Sequence, residues 1–142
     1  MPRLRDLNIT VGTFPTGPHN AHHLTDEHVF QAIANASDGP VAEGNVGGGT
    51  GMLCHGFKGG IGTSSRIAEN KSGRWTIGVL VQANYGRRHL LRVDGVPVGR
   101  ELGPEVVPLP SKPAGDGSII IIIATDAPLI PAQCKRLAQR AT

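Results

Sequence analysis

The feature that most constrains this chain is a run of five isoleucines that follows Gly115-Asp116-Gly117-Ser118. β-Branched side chains are restricted in helices and pack well on a pleated surface, so the run predicts a β-strand from Ile119 to Thr125. Because the run has no polar position, we expect a central strand that is buried on both faces. A serine hydroxyl then lies at the mouth of this strand, after glycines that allow unusual backbone angles.

Two interpretations of Ser118 follow from this position. The first is a serine that begins a strand after a turn, because Gly-Asp-Gly-Ser is common turn chemistry. The second is an autoproteolytic nucleophile that attacks the carbonyl of Gly117, so that an N-to-O acyl shift and hydrolysis free Ser118 as a new N-terminus. That terminal amine, with an ordinary pKa of about 7.7–8.0, would help to accept the hydroxyl proton. The stretch alone favours the first interpretation.

Motifs elsewhere in the chain favour the second interpretation. The relevant stretches are Gly39–Met52 (GPVAEGNVGGGTGM), Phe57–Ser64 (FKGGIGTS), Gly78–Gly86 (GVLVQANYG) and Asp116–Leu129 (DGSIIIIIATDAPL). In this order they resemble the DmpA-type family of L-aminopeptidases and D-amino-acid esterases, which are self-cleaving N-terminal-nucleophile hydrolases. With the sequence between them, the resemblance covers about Glu27 to Ala141. Ser118 stands at the family's nucleophile position and Gly117 at the residue before its cut.

The resemblance implies a fold and an activity. The fold is α/β, a partial αββα sandwich of the N-terminal-nucleophile type. The activity is an aminopeptidase or amidohydrolase that forms an acyl-enzyme on Ser118 and releases N-terminal residues from short peptides, amino-acid amides or esters. It implies no metal and no organic cofactor, and it implies a homo-oligomer. Asn84, which by itself indicates only the end of a strand, takes the family's oxyanion-hole position, where one donor is worth about 3 kcal/mol.

The chain also departs from the family pattern. Residues 13–20 resemble the family's extreme N-terminal segment, and a large block is missing between about Ala21 and Leu24. The family's later Ser-Gly-Glu/Asp motif and an upstream site tyrosine have no counterpart here. We therefore expect one partial peptidase domain with an arm (1–23), an α-subunit-like part (24–117) and the start of a β-subunit-like part (118–142). The alternative function is a catalytically incomplete remnant that serves as a non-enzymatic binding or assembly subunit.

Periodicity and turn residues predict the remaining elements. Thr25 is a plausible N-cap, and apolar residues recur at helical spacing after it. Asp94-Gly95 is a strong hairpin signal. The predicted elements are a helix at 25–36, a central strand at Thr76–Ala83, hairpin strands at 89–93 and 96–98, an exposed loop at 102–114 and a helix from Pro131 to Ala141 with Leu137 and Ala141 inward.

The segment Gly44–Gly51 is dense in glycine, which allows three interpretations. A phosphate-binding loop is disfavoured because the stretch lacks the Gly-Lys-Ser/Thr ending of a P-loop. A tight loop packed against the sheet is the plain alternative. The family resemblance adds a loop beside the substrate cleft, with Glu43 and Asn45 near the site. The hydroxyl-rich Thr63–Arg66 segment is interpreted as a turn or cap.

Composition excludes some classes of function. The net charge of +3 is scattered without interleaved aromatic residues, so nucleic-acid binding is disfavoured. No apolar stretch is long enough to span a membrane, and no signal peptide is recognisable. Cys54 and Cys134 show no metal or redox spacing, which predicts free buried thiols in a reducing, cytoplasmic setting. Four histidines near the N-terminus indicate surface positions rather than a metal site; they are His19, His22, His23 and His28.

Overall fold

The computed structural model describes residues 25–109 and 117–141, so the predicted arm, three of the four clustered histidines and residues 110–114 of the predicted loop lie outside it. The elements within these ranges are α1 (Asp26–Ala34), β1 (Leu53–Cys54), β2 (Phe57–Lys58), β3 (Gly60–Asn70), β4 (Gly73–Asn84), α2 (Val98–Glu101), β5 (Ser118–Thr125) and α3 (Pro131–Ala138). Short 3-10 turns lie at 47–49, 88–90 and 139–141. None of the helices in these ranges has the length and apolarity to cross a bilayer.

A three-stranded antiparallel sheet with the order β3-β4-β5 forms the centre of the structure. β4 lies in the middle, which confirms the prediction that Thr76–Ala83 is central. The prediction that the isoleucine strand is central is wrong within the described residues, because β5 pairs only with β4. The partner on the other side, β3, was not predicted. It contains Thr63–Arg66, so the turn interpretation of that segment is also wrong.

The isoleucine strand is less buried than its composition predicts. Successive side chains of a strand point to opposite faces, and α3 covers only the face that carries Ile119, Ile121 and Ile123. Ile120 on the other face is 53% exposed, and even Ile119 is 42% exposed. The expectation of burial on both faces is therefore wrong for the described residues, which contain no fully buried apolar side chain.

The two longer helices begin where the sequence predicts. Thr25 is the N-cap of α1, and its backbone N–H donates to His28 Nδ1 at 3.0 Å. α1 ends at Ala34, two residues before the predicted end. α3 begins at Pro131, whose fixed φ suits the first turn, and a 3-10 turn continues it to residue 141. Its inward residues Leu137 and Ala141 line the groove against β5, as predicted.

Local turn chemistry was predicted better than the segments around it. Asp94 and Gly95 have φ values of 49° and 79°, and Val93 and Val96 exchange two backbone hydrogen bonds of 3.0 and 2.9 Å. The turn is thus confirmed, but the hairpin strands are wrong. Residues 88–90 form a 3-10 turn and Val98 begins α2, so only the isolated bridge between Val93 and Val96 remains of the predicted hairpin.

The prediction of free thiols holds, but that of burial fails. Both cysteines are free; Cys54 is half-buried and Cys134 is exposed. Cys134 projects from α3 at the open side of the groove over β5.

Candidate active site

The candidate nucleophile and the candidate oxyanion donor lie opposite each other at one end of the sheet. Ser118 begins β5, Asn84 ends β4, and the antiparallel register pairs the two residues. Directly paired residues of antiparallel strands project from the same face. Asn84 Nδ2 accordingly donates a long hydrogen bond of 3.4 Å to Ser118 Oγ. Ser118 is exposed, so the structure unites the two predicted residues at an accessible position.

Gly117, the residue before the candidate nucleophile, lies against the backbone of Tyr85. A Cβ atom at position 117 would be 2.9 Å from Tyr85 Cα and 3.1 Å from the carbonyl oxygen of Asn84. Both distances are shorter than ordinary Cβ contacts, so glycine allows this approach. The peptide bond between Gly117 and Ser118 is thereby held at the end of β4 that carries the Asn84 amide.

The Asn84 side chain is held from both ends. Its Oδ1 accepts a hydrogen bond of 3.1 Å from the backbone N–H of Leu53 in β1. Because an N–H group can only donate, the oxygen of the amide must face Leu53 and the nitrogen must face Ser118. This orientation presents a hydrogen-bond donor beside the candidate nucleophile, on the side where a carbonyl oxygen attacked by Ser118 would develop negative charge.

The glycine-rich loop packs on the same face of the sheet as the candidate pair. Asn45 shapes it, because its Nδ2 donates to the carbonyl of Gly49 at 2.8 Å and its Oδ1 accepts from Gly51 N–H at 3.1 Å. Gly48 lies directly on the side-chain amide of Gln82, which an added Cβ atom would displace. Gln82 is two residues before Asn84 on β4 and shares its face. Of the three interpretations of this segment, the contacts support a tight loop packed on the sheet.

Glu43 connects this loop to β3. Its Oε1 accepts hydrogen bonds from the hydroxyl of Thr63 and from the Thr63 backbone N–H, the latter at 2.8 Å. The hydrogen bond from the Thr63 hydroxyl contributes most, and the one from its backbone N–H contributes less, to holding the pKa of Glu43 below its ordinary value of 4.5. Glu43 is therefore ionised at neutral pH and fastens the loop, and like Asn45 it contributes to the framework around the candidate pair.

The thiol of Cys54, which lies in the neighbouring strand β1, stays protonated at neutral pH. Desolvation by burial raises its pKa from the ordinary value, and a hydrogen bond from the backbone of Tyr85 opposes this only in part. A protonated thiol is a poor nucleophile. Cys54 therefore lacks the lowered pKa that marks a reactive cysteine.

His55 contributes to the packing next to the candidate site, and the sequence analysis missed it. It has a φ of 52°, unusual for a residue with a side chain, and its backbone N–H donates to the Tyr85 carbonyl at 2.8 Å. Its ring occupies the space that a side chain at Gly86 would need, and it contacts the Tyr85 ring edge to face at 5.3 Å between centroids. Tyr85 packs on His55 through this contact and remains 41% exposed. The His55-Gly56 pair between two short apolar segments was the signal for a tight turn here.

Arg88 is the second residue that was missed. It is only 7% exposed, and its guanidinium lies 4.3 Å from the centre of the Phe57 ring. Its nitrogens donate to the carbonyls of Gly56, Leu102 and Val107. The sequence offers no signal for this role, because Arg87-Arg88 resembles any exposed basic pair.

Metal ligation finds no support among residues 25–109 and 117–141, where no group of three or more His, Cys, Asp or Glu side chains could hold an ion. His28, the one residue of the histidine cluster within these ranges, caps α1 through its Nδ1.

Comparison with known proteins identifies the family. The model of "Peptidase family S58" matches residues 18–142, which is most of the chain. The chain belongs to peptidase family S58. A relative, "Beta-peptidyl aminopeptidase BapA" of Sphingosinicella microcystinivorans, is 52% identical over 133 residues, which cover 86% of this chain and 34% of the relative.

Solved structures agree with this assignment. A "Burkholderia sp. beta-aminopeptidase" matches with a TM-score of 0.71 and 60% identity over 84% of this S58 chain and 31% of that one. The L-aminopeptidase D-Ala-esterase/amidase of Ochrobactrum anthropi, described as a variant of the Ntn hydrolase fold, matches with a TM-score of 0.70 and 48% identity over 86% and 32%. The fold is therefore α/β of the partial αββα, N-terminal-nucleophile type, as predicted. The chain spans about a third of the length of these relatives.

Proposed function

We propose that this S58 chain is a serine aminopeptidase that matures by cutting itself between Gly117 and Ser118. The observation that carries the proposal is the 3.4 Å hydrogen bond from Asn84 Nδ2 to Ser118 Oγ, directly after a glycine that packs on the end of β4. The cut divides the chain into the α-subunit-like part that ends at residue 117 and the β-subunit-like part that begins at residue 118.

The self-cleavage step balances without an outside reagent other than water. Ser118 Oγ bonds to the carbonyl carbon of Gly117, the bond from that carbon to the Ser118 nitrogen breaks, and the hydroxyl proton ends on this nitrogen. Water then hydrolyses the ester and leaves a carboxylate on Gly117 and a free amine on Ser118. Asn84 Nδ2 stabilises the negative oxygen of the tetrahedral intermediate, which a single donor can favour by about 3 kcal/mol.

Turnover repeats the same chemistry on a substrate. Ser118 Oγ attacks the carbonyl of the substrate's first residue, and the new terminal amine accepts the hydroxyl proton and delivers it to the leaving amine or alcohol. Water releases the acyl group. The substrates we propose are short peptides, amino-acid amides and esters. The relatives' names include "beta-peptidyl aminopeptidase", so N-terminal β-amino acids belong to the proposed range.

Mass spectrometry of the purified chain tests maturation. We expect two fragments that meet at Gly117–Ser118, and a single uncut chain for Ser118→Ala. Ser64→Ala is the matched control, since Ser64 is an exposed serine on β3 away from the Asn84 pair. Fragments that persist in Ser118→Ala would identify a contaminating protease and remove the support for the mechanism.

Hydrolysis of p-nitroanilides tests turnover. We expect release of p-nitroaniline from L-alanyl and β-alanyl p-nitroanilide, and none from N-acetylated versions, because an aminopeptidase requires the free amine. An uncut chain with no activity on either substrate would instead favour the non-enzymatic binding or assembly subunit.

The proposed setting is a homo-oligomer in the cytoplasm. Assembly is supported by the apolar side chains left open on α1, where Val29, Phe30 and Ile33 are 57–64% exposed. The location is supported by the two free cysteines, which suit a reducing compartment. Light scattering on the purified chain and fractionation of the source cells test the two statements; a monomer would contradict the first.

A further inference from the structure

The hairpin of β1 and β2, residues Leu53–Lys58, lies against the end of β4 that carries the candidate site. Its two-residue turn, His55-Gly56, has φ values of 52° and 74°, as a type I′ turn requires. The register pairs Cys54 with Phe57 and Leu53 with Lys58, and Gly59 N–H donates to the Met52 carbonyl at 2.7 Å. Because hydrogen-bonded and non-hydrogen-bonded pairs alternate, the Leu53 N–H points away from β2.

We infer that this hairpin is a positioning element that fixes which way the Asn84 amide faces, a role that rests on the proposed function. The outward Leu53 N–H donates to Asn84 Oδ1 at 3.1 Å. Rotation of the amide by 180° would place its nitrogen against this donor and its oxygen against Ser118. In that state the amide would turn a partial negative charge toward the nucleophile, and its donor would no longer be available to the oxyanion that forms beside Ser118.

Arg88 fastens the hairpin in place. Its guanidinium donates to the Gly56 carbonyl in the turn and stacks on Phe57 in β2. The same group donates to the carbonyls of Leu102 and Val107, which anchors it in the loop behind. On the other side of the turn, His55 N–H donates to the Tyr85 carbonyl, one residue after Asn84. The turn is thus held at both of its residues, and the distance between Leu53 and Asn84 is set.

Two substitutions of Leu53 distinguish the contribution of its backbone N–H group from that of its side chain. Leu53→Pro removes the donor without removing a bond of the β1–β2 ladder, and Leu53→Ala keeps the donor as the reference. We expect kcat for β-alanyl p-nitroanilide and the self-cleavage rate to be at least tenfold lower in Leu53→Pro than in Leu53→Ala, with KM changed less than twofold. The upper bound is the roughly 10²–10³-fold loss for a missing oxyanion donor.

A double-mutant cycle distinguishes positioning from general damage. If Leu53 acts through Asn84, Leu53→Pro lowers the residual rate of Asn84→Ala by less than twofold, because the amide it orients is gone. Arg88→Met should follow the same pattern, with Arg88→Lys intermediate and Arg87→Met as the reference for a lost neighbouring charge. Rates are divided by the folded fraction from thermal melting, so that loss of folded protein is not counted.

The outcomes separate the two levels of the proposal. Suppose that the unaltered chain cleaves itself and hydrolyses the substrate. The positioning role is then overturned if Leu53→Pro and Leu53→Ala have equal rates. It is also overturned if Leu53→Pro lowers the rate of Asn84→Ala as much as it lowers the rate of a chain that retains Asn84. If the unaltered chain does neither, the proposed function fails and the role falls with it. A loss confined to chains that retain Asn84 establishes the role.

Discussion

Replacement of Gly60 by alanine should detach the glycine-rich loop from the sheet. Gly60 begins β3 with a φ of 128°, and an added Cβ would lie 2.6 Å from the carbonyl carbon of Gly44 and 3.2 Å from Asn45 Cα. Residue 44 would have to move. Gly44 and Ile61 now exchange backbone hydrogen bonds of 2.7 and 2.8 Å, and both would be lost.

The expected destabilisation follows from these two terms. Each backbone hydrogen bond contributes about 0.5–1.5 kcal/mol net. A residue with a side chain in such a strained backbone conformation costs about 1–3 kcal/mol. Gly60→Ala should therefore lower the free energy of unfolding by about 2–6 kcal/mol, which is a large part of the stability of an ordinary domain.

Gly62 provides a matched control in the same strand. Its φ lies outside the left-handed region, and an added Cβ at this position would meet no neighbouring atom within 4 Å. Gly62→Ala should change the unfolding free energy by less than about 1 kcal/mol. Urea titrations followed by circular dichroism measure both variants. Equal midpoints for Gly60→Ala and Gly62→Ala would refute the reasoning, because only Gly60 has the backbone of residue 44 in its way.

Three further predictions concern the site and its surroundings. Gly117→Ala should slow self-cleavage, because its Cβ would displace the scissile bond from Tyr85; a time course on denaturing gels that matches the unaltered chain would contradict this. The pKa of Glu43 is lower in the folded chain than in the unfolded chain. Its stabilising effect is therefore present above about pH 4.5 and is lost as the pH falls through the folded pKa. The melting temperature of Glu43→Gln should accordingly depend less on pH in the acid range than that of the unaltered chain. Iodoacetamide at mildly alkaline pH should alkylate exposed Cys134 before Cys54, whose pKa burial raises; peptide mass spectrometry would expose the reverse order.

The sequence was sufficient to predict Ser118 and Asn84 as a candidate pair, because each residue lies at the end of a strand whose amino-acid composition predicts it. The five isoleucines predict β5, and the apolar stretch before Asn84 predicts β4. The family resemblance then assigns their terminal residues. That both end up on one face follows from an antiparallel register, which the sequence did not reveal.

The predictions that failed concern features that local sequence patterns do not determine. β3 escaped prediction because its outer half is polar and open to solvent, so it carries neither an apolar run nor a clean alternation. The exposure of β5 depends on how many layers cover the sheet, which no residue of β5 encodes. The positions of His55 and Arg88 depend on contacts between segments about thirty residues apart in sequence.

β5 begins at Ser118 itself, and every one of its residues is matched to a residue of β4. Scission before Ser118 would break one covalent bond and leave all eight rungs of this pairing untouched. The two products would remain associated through the hydrogen bonds between β4 and β5, and they would migrate as one species until a denaturant separates the strands. The new N-terminal amine would also remain beside Asn84, whereas an ordinary chain end is poorly ordered.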